Sequence, residues 1–268
     1  MSAGQPLAGR RIAITRPAGQ SAELIAQLRA LGAEPLACPA IAIAPPESYA
    51  PLDAAIARLP VYDWLIVTSA NGAHALLGRM AALGADTSPL QRLTIGAIGP
   101  ATAAALAEYG LRASFVPGEY VAEGILAEIG DVAGQRILLP RADIARPALA
   151  KGLRAGGALV DEIAAYCTVP GAGAADLAGH LRAGAIDAIT FTSSSTVRYL
   201  LDGLEQLGNT RAAAAAALNR AVVVCIGPIT AETARAEGLR VDAMAQEFTG
   251  DGLVATLVNW FAHPSLDR

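Results

Sequence analysis

The sequence contains an internal repeat, and this repeat limits the folds open to the chain more than any other feature. Four segments recur in the same order, at offsets between 124 and 128 residues. They are RIAITR and RILLPR (Arg11–Arg16 and Arg136–Arg141), DWLIVTS and DAITFTS (Asp63–Ser69 and Asp187–Ser193), IGPATA and IGPITA (Ile98–Ala103 and Ile226–Ala231), and Glu119-Tyr120 and Glu247-Phe248. Self-similarity of this kind indicates repeated structural units, so the sequence predicts two similar domains.

Short apolar runs alternate with helical patterns in both copies of the repeat. Each run has three to five residues and is apolar throughout, which is typical of strands buried on both faces of a parallel sheet. The segments that follow carry apolar residues at helical spacing and end at glycine, as with Leu24, Leu28 and Gly32. The alternation predicts doubly wound α/β domains. The predicted strands are Ile12–Ile14, Trp64–Val67, Ile95–Ile98, Ile137–Leu139, Ala188–Phe191 and Val222–Ile226.

Two proline-containing segments interrupt this alternation. They are CPAIAIAPPE at Cys38–Glu47 and AAYCTVPGAG at Ala164–Gly173. Each follows the first helix of its copy and includes a short extended stretch. We interpret them as paired linkers, and the alternative is a pair of ordinary edge strands with surface loops.

Polar turns follow the predicted strands. In open α/β sheets, ligands bind beyond the carboxyl ends of the strands, where helix N-termini favour anions. The turns contain hydroxyls, one amide and two arginines but no acidic side chain, so they predict two rims that accept an anionic ligand. For each Ser or Thr, the alternative role is helix capping. For Arg16 and Arg141, the alternative is a solvated surface position, although their equivalent places in the two copies favour function.

Composition and motifs argue against several other classes of function. The net charge is −4 and the basic residues form no cluster, which argues against nucleic-acid binding. The sequence has no apolar run of membrane-spanning length and no signal-peptide pattern, so we expect neither. The three cysteines form no CxxC pair and the three histidines lack ligand spacing. We therefore expect a cytoplasmic protein without a metal site. Nucleotide-binding glycine motifs are absent from the sequence.

Taken together, the motifs resemble those of the uroporphyrinogen-III synthase family. The resemblance is carried by ITRP at Ile14–Pro17, the two D-x-x-x-x-T-S segments, the two IGPxTA turns and Tyr166 within AAYCT. It covers the chain from about Arg10 to Trp260. Each motif is weak alone, and the order and spacing of the set make it specific.

The resemblance implies a fold and a division of the chain. It implies two flavodoxin-like α/β domains with parallel sheets, joined by a two-stranded linker, with a cleft between them. The expected first domain is discontinuous and combines residues 1–37 with 170–268. Residues 46–163 form the second expected domain, and residues 38–45 and 164–169 form the expected linker strands.

The resemblance also implies an activity. The substrate would be hydroxymethylbilane, a linear tetrapyrrole with acetate and propionate arms, which the enzyme closes with loss of water and inversion of ring D. No cofactor or metal is expected. Tyr166 is the candidate acid that protonates the leaving hydroxyl. The candidate residues for the substrate carboxylates are Thr15, Arg16, Ser69, Asn71, Thr102, Arg141, Ser193, Ser194 and Thr230.

The expected partners follow from the same resemblance. We expect a monomer that binds a small tetrapyrrole and neither nucleic acid nor membrane, and a transient contact with the preceding pathway enzyme is left open. The main alternative is a non-catalytic binding or regulatory module with the same fold, because fold alone does not define function.

Overall fold

A computed structural model describes residues 4–263, and it divides the chain into two compact units. Unit 1 combines the described residues up to Ala42 with those from Val169 onward, and unit 2 is the continuous segment Ile43–Thr168. The chain passes from one unit to the other at residues 42–43 and again at residues 168–169. Both passages fall inside strands.

The two units alternate short strands with helices. The strands are β1 (Arg11–Ile14), β2 (Glu34–Ala37), β3 (Ile41–Ala44), β4 (Trp64–Val67), β5 (Thr94–Ala97), β6 (Arg136–Ala142), β7 (Leu159–Pro170), β8 (Ala188–Phe191), β9 (Val222–Cys225) and β10 (Ala243–Met244). The helices are α1 (Ala22–Ala30), α2 (Ala50–Ile56), α3 (Ala70–Ala82), α4 (Pro100–Ala107), α5 (Ala122–Glu128), α6 (Ala148–Ala155), α7 (Gly173–Arg182), α8 (Ser194–Gln206), α9 (Arg211–Leu218), α10 (Pro228–Ala236) and α11 (Gly250–Ala262).

Unit 1 contains a parallel five-stranded sheet in the order β10-β9-β8-β1-β2. Counted along the chain of this unit, this is the 2-1-3-4-5 order of flavodoxin-like folds. Both faces of the sheet are buried. Alternate side chains of a strand point to opposite faces, so neighbouring residues of β1 pack in different clusters. Ile12 and Ile14 pack with Leu24 and Leu28 of α1, whereas Ala13 packs in a second cluster on the other face.

Unit 2 contains a sheet in the order β3-β7-β6-β4-β5. The pairs β7-β6, β6-β4 and β4-β5 are parallel. The repeated segments occupy the same places as in unit 1, since β6 pairs with β4 just as β1 pairs with β8. In unit 2, however, β4 precedes β6 in sequence, whereas β1 precedes β8 in unit 1. The two sheets are therefore related by a circular permutation.

The predicted fold class is confirmed, and each of the six apolar runs forms a strand. The segments interpreted as paired linkers contain β3 and the end of β7, which are neighbours in one sheet. Strand β2 was missed, because its sequence EPLA is half exposed and lacks an apolar run. Among the described residues, no helix is long and apolar enough to cross a membrane.

Candidate active site

Tyr166 lies near the end of β7 in unit 2, beside a bulge in the pairing of β6 and β7. The bulge falls between Arg141 and Ala142 and places Tyr166 opposite Ala142. The tyrosine is only 7% exposed, and its hydroxyl lies 3.0 Å from the Ser69 Oγ. Ser69 is the N-cap of α3, and its Oγ accepts a hydrogen bond of 3.0 Å from the Gly72 N–H. The Tyr166 phenol is thus hydrogen-bonded to the N-cap residue of α3.

The surroundings of Tyr166 keep its phenol protonated at neutral pH. Burial raises the pKa of Tyr166 above its usual value near 10. Hydrogen bonds with Ser69 and Asn71 and the positive charge of Arg141 act in the opposite direction but do not reverse the shift. The Tyr166 hydroxyl therefore carries its proton across the physiological range.

Arg141 is buried beside this tyrosine, with its side chain 8% exposed. Its guanidinium donates to the Glu162 carboxylate at 3.1 Å and to the Arg146 carbonyl at 2.8 Å. The same carboxylate accepts a second hydrogen bond, from Arg154, at 3.3 Å. Burial lowers the pKa of Arg141, and Glu162 opposes this shift. These contacts hold the guanidinium in place, which favours a supporting role over a direct contact with a ligand.

Arg16 occupies the equivalent position in unit 1, and its surroundings differ. Within residues 4–263 its guanidinium has neither a hydrogen bond nor an ion pair, and the nearest acidic influence on it is that of Glu23. Burial lowers the pKa of Arg16. Its Nη1 lies near the start of α11, because a Cβ added to Gly250 would be 3.8 Å away. A half-buried cation beside a helix N-terminus is suited to an anionic ligand.

Two serines after β8 are already engaged within unit 1. Ser193 caps α8, with its Oγ accepting from the Thr196 N–H at 3.2 Å and its N–H donating to Thr196 in return. The Ser194 hydroxyl lies 2.7 Å from the Thr233 Oγ1. For Ser193, as for Ser69, the structure shows the capping role that the sequence left open as an alternative.

The three predicted threonines fall into two classes. The Thr15 hydroxyl is fully buried and donates to the Thr190 carbonyl at 2.7 Å, which argues against a side-chain contact with a substrate. Thr102 and Thr230 lie in the first turns of α4 and α10, and each is about 5% exposed or less. In the described part of the chain, neither hydroxyl forms a hydrogen bond. These two hydroxyls remain available as donors or acceptors.

Comparison with known proteins identifies the family. A family model described as "Uroporphyrinogen-III synthase HemD" matches residues 22–255. The chain belongs to the uroporphyrinogen-III synthase family. A uroporphyrinogen-III synthase from Synechococcus elongatus is 38% identical over 96% of this chain and 98% of that protein. The "Porphyrin biosynthesis protein HemD" of Ruminiclostridium josui is 31% identical over 95% of this chain and 49% of its own length.

The fold also matches that of a solved uroporphyrinogen III synthase. The crystal structure of a mutant of the Thermus thermophilus protein aligns with a TM-score of 0.65, covering 92% of this chain and 97% of that one. The identity is 23%, so this likeness concerns the fold.

The structure brings together some of the residues predicted for a uroporphyrinogen-III synthase and leaves others apart. In unit 2, Tyr166, Ser69, Asn71 and Arg141 form one connected cluster. Sequence reasoning missed Glu162, which orients Arg141. The contact between Glu162 and Arg141 depends on the parallel register of β6 and β7, which is known only once the two strands are paired. Among the described residues, no group of three His, Cys, Asp or Glu could hold a metal ion.

Proposed function

We propose that this chain is a uroporphyrinogen-III synthase, which converts hydroxymethylbilane into uroporphyrinogen III. The observation that carries the proposal is the match to the Synechococcus elongatus enzyme over nearly the full length of both chains. The cluster around Tyr166 supports it, because the reaction requires a proton donor at the leaving hydroxyl.

The proposed reaction begins with loss of the hydroxyl from the terminal methylene group. Protonation of this hydroxyl releases water and leaves an azafulvene cation. The substituted carbon of ring D attacks the cation and forms a spiro intermediate. This intermediate fragments at the bond between the spiro carbon and the methylene group that joined ring D to ring C. The methylene group then bonds to the other α carbon of ring D, which loses its proton, and ring D is left inverted. Closure without inversion competes in solution, so the enzyme acts mainly by holding one conformation of the chain and stabilising the cation.

Tyr166 is the proposed acid for the first step. Its phenol carries a proton at neutral pH, since the ordinary pKa of tyrosine is about 10. The Ser69 Oγ already accepts the Gly72 N–H, so the serine hydroxyl proton can be directed at the Tyr166 oxygen. The Tyr166 proton would then be free for the substrate hydroxyl. In this proposal Ser69 orients the acid as well as capping α3.

The substrate carboxylates are proposed to lie at the carboxyl ends of the strands in each unit. Arg16 is the proposed main cationic contact, because its guanidinium forms no ion pair in the described part of the chain, although the charge of Glu23 acts on it. Thr102 and Thr230 contribute hydroxyls, and the N-terminal turns of α3 and α8 contribute backbone N–H groups, including that of Ser194, whose hydroxyl is engaged with Thr233. Arg141 is proposed to support the Tyr166 cluster.

The remaining parts of the proposal concern the setting of the reaction. The enzyme is proposed to work in the cytoplasm as a monomer, without nucleic acid, and to receive its unstable substrate by a transient contact with the enzyme that makes it. Light scattering of the purified chain, alone and mixed with that enzyme, tests the oligomeric state and the contact.

Freshly generated hydroxymethylbilane tests the activity. After a short incubation with the chain, the products are oxidised to porphyrins and the two isomers are separated by chromatography. With the chain present, the product should be predominantly the inverted isomer. Without protein, the product should be the non-inverted isomer. A chain that binds the substrate but gives only non-inverted product would instead be the non-catalytic module with the same fold.

Tyr166→Phe tests the acid. It retains the ring and removes only the hydroxyl, so we expect turnover to fall about tenfold to a hundredfold while the product stays mostly inverted. The lower part of the usual range for general acids is expected, because this hydroxyl also leaves without an enzyme. Tyr62→Phe is the matched control, since it removes another buried phenol of unit 2, which donates to Asp161 at 2.6 Å. Wild-type turnover in Tyr166→Phe would exclude the acid role.

A further inference from the structure

Strand β7 extends beyond the end of its partner β6, and Asp143 contacts it there. The pairing of the two strands ends where Ala142 lies opposite Tyr166, whereas β7 continues to Pro170. Asp143 comes next, and the chain turns away at that residue. Its N–H still donates to the Tyr166 carbonyl at 3.1 Å, and its carboxylate accepts from the Thr168 N–H at 3.0 Å. Asp143 therefore holds the backbone of β7 immediately after Tyr166.

These two hydrogen bonds continue the parallel ladder by one step. In such a ladder, a residue donates its N–H to a carbonyl of the neighbouring strand, and its own carbonyl accepts an N–H from two residues further along that strand. Asp143 makes the first contact with its backbone, and its carboxylate replaces its carbonyl in the second. A carboxylate is the stronger acceptor. The backbone can therefore leave the sheet at Asp143 while the end of β7 stays fixed.

The bulge in β7 makes the direction of Tyr166 depend on these contacts. Successive side chains of a regular strand point to opposite faces, yet Ala165 and Tyr166 belong to the same apolar cluster. The bulge thus turns Tyr166 to the face on which it meets Ser69. A bulge disrupts the ladder locally. Beyond it the register contains one further pair, Ala142 with Tyr166, and Asp143 supplies the contacts that follow.

The two copies of the repeat differ at both positions. At the offset that relates RIAITR to RILLPR, Asp143 corresponds to Ala18 and Tyr166 corresponds to Ile41. The pairing of β1 with β2 and that of β6 with β7 share this offset. The copy without the tyrosine thus also lacks the carboxylate. A carboxylate that only ended a strand would serve both copies equally, so its presence beside Tyr166 favours a role linked to the phenol.

We propose that Asp143 is a positioning residue, whose carboxylate fixes the end of β7 and thereby holds the Tyr166 hydroxyl where it protonates the leaving hydroxyl of the substrate. This inference rests on the proposed function, because it takes Tyr166 as the acid. An acid displaced from its target lowers the rate of the chemical step more than the binding of the substrate. Loss of the Asp143 carboxylate should therefore lower kcat and leave KM nearly unchanged.

Three single variants test the role of the carboxylate. Asp143→Ala removes the acceptor, so kcat with hydroxymethylbilane should fall about five- to tenfold while KM stays within about twofold. Asp143→Asn retains an oxygen that can accept from the Thr168 N–H, and both constants should stay within about twofold of the wild type. Asp131→Ala is the matched control and should behave as the wild type. Asp131 is another exposed aspartate of unit 2, and its carboxylate accepts from the Ala133 N–H at 2.9 Å.

A double variant separates positioning of the acid from a general structural role. If Asp143 acts through the Tyr166 hydroxyl, Asp143→Ala should lower kcat no further in a chain that already carries Tyr166→Phe. A second five- to tenfold loss in that background would overturn the inference. An asparagine variant as slow as the alanine variant would overturn it too, because the charge and not the acceptor would then matter. Wild-type kcat in Asp143→Ala would have the same consequence.

A signal that needs no substrate separates this inference from the proposed function. In a chain labelled with ¹³C at the tyrosine Cζ, the Tyr166 resonance is the one of six that Tyr166→Phe removes. It should shift in Asp143→Ala and keep its place in Asp143→Asn. An unchanged resonance in the alanine variant would overturn the positioning role even if the chain is an active synthase. A wild-type chain that gives no inverted product would overturn the synthase activity, and the resonance would still show whether Asp143 holds the tyrosine. If Asp143→Ala melts below the assay temperature, Asp143→Leu, which is close to aspartate in shape and has no acceptor, replaces it under the same criteria.

Discussion

The two arginines at equivalent positions of the repeat show how similar units take different roles. Arg141 in unit 2 is paired with Glu162, whereas Arg16 in unit 1 has no acidic partner among the described residues. The reason lies in the neighbouring strands. Leu139 of β6 pairs with Glu162 of β7, and Ile14 of β1 pairs with Ala37 of β2 at the same point of the register. Glu162 is present in one copy of the repeat only, and its carboxylate is the reason that Arg141 is held in an ion pair while Arg16 is not.

The units also differ in how the chain builds them. Unit 2 is continuous, and its two apolar clusters contain only residues between 43 and 168. In unit 1, β1 pairs with β8, which lies about 175 residues later in the chain. The repeat therefore yields one unit that can form from a single segment and one that needs both ends of the chain.

The largest expected effect is on the folding of isolated fragments of the chain. Residues 43–168 should melt cooperatively when expressed alone, whereas residues 1–133 should not, because β1 would lack β8 and β4 would lack β6. A shorter fragment, 46–163, should be less stable than 43–168 by about 2–4 kcal/mol, since it loses Ala165 and Tyr166 from the core. Circular dichroism during thermal melts measures all three. A cooperative melt of 1–133 alone would contradict the division of the chain.

The sequence alone predicted the elements of the fold better than the contacts of the site. Apolar runs revealed the strands buried on both faces, but β2 and β10 are too short or too polar to produce such a run. The helix caps Ser69 and Ser193 were recognisable because capping is local. The hydrogen bond between Ser69 and Tyr166 was not, because it joins residues 97 positions apart, at the ends of two strands, β4 and β7, that β6 separates in the sheet.

The next largest effect is expected from Arg141→Ala, on the free energy of unfolding. Removing this buried cation leaves a cavity and deprives Glu162 and the Arg146 carbonyl of a donor, so we expect a loss of about 2–3 kcal/mol in the free energy of unfolding. Arg154→Ala is the matched control. It breaks the other contact of Glu162, but its side chain is 47% exposed, and it should cost less than about 1 kcal/mol. Chemical denaturation measures both, and equal losses would remove the distinction between a buried anchor and a surface pair.

Arg16→Ala should have the opposite profile. The guanidinium is partly desolvated without a described partner, so its removal should leave stability unchanged or slightly higher. Activity should fall by about 2 kcal/mol in kcat/KM, roughly 30-fold, if Arg16 binds a substrate carboxylate. Arg29→Ala, an exposed arginine of the same unit, is the control. A variant with normal kinetics and a lower melting temperature would show that Arg16 is structural, like Arg141.

The smallest expected effect is the response of each unit to alkaline pH. Unit 1 contains two fully buried thiols, and burial raises the pKa of Cys38 to about 11 and that of Cys225 to about 12, from an ordinary value near 9. Above pH 9 the unfolded chain releases these protons while the folded unit retains them, so stability falls as pH rises towards the folded pKa values. At pH 9.5 the loss is about 0.8 kcal/mol per thiol.

In unit 2 the buried phenols of Tyr62 and Tyr166 also have raised pKa values, from an ordinary value near 10. Burial raises the pKa of the Cys167 thiol as well, but this thiol is single and only partly buried, so unit 2 should lose less stability than unit 1 between pH 9 and 10. The chain has one tryptophan in each unit, Trp64 in β4 of unit 2 and Trp260 in α11 of unit 1. Denaturation of Trp64→Phe and Trp260→Phe variants, followed by the remaining tryptophan, therefore reports on each unit separately between pH 7 and 10. The free energy of unfolding reported by Trp260 should fall more than that reported by Trp64, and Cys38→Ala with Cys225→Ala should flatten its pH dependence. A pH dependence that survives both substitutions would mean that other groups of unit 1 release the protons.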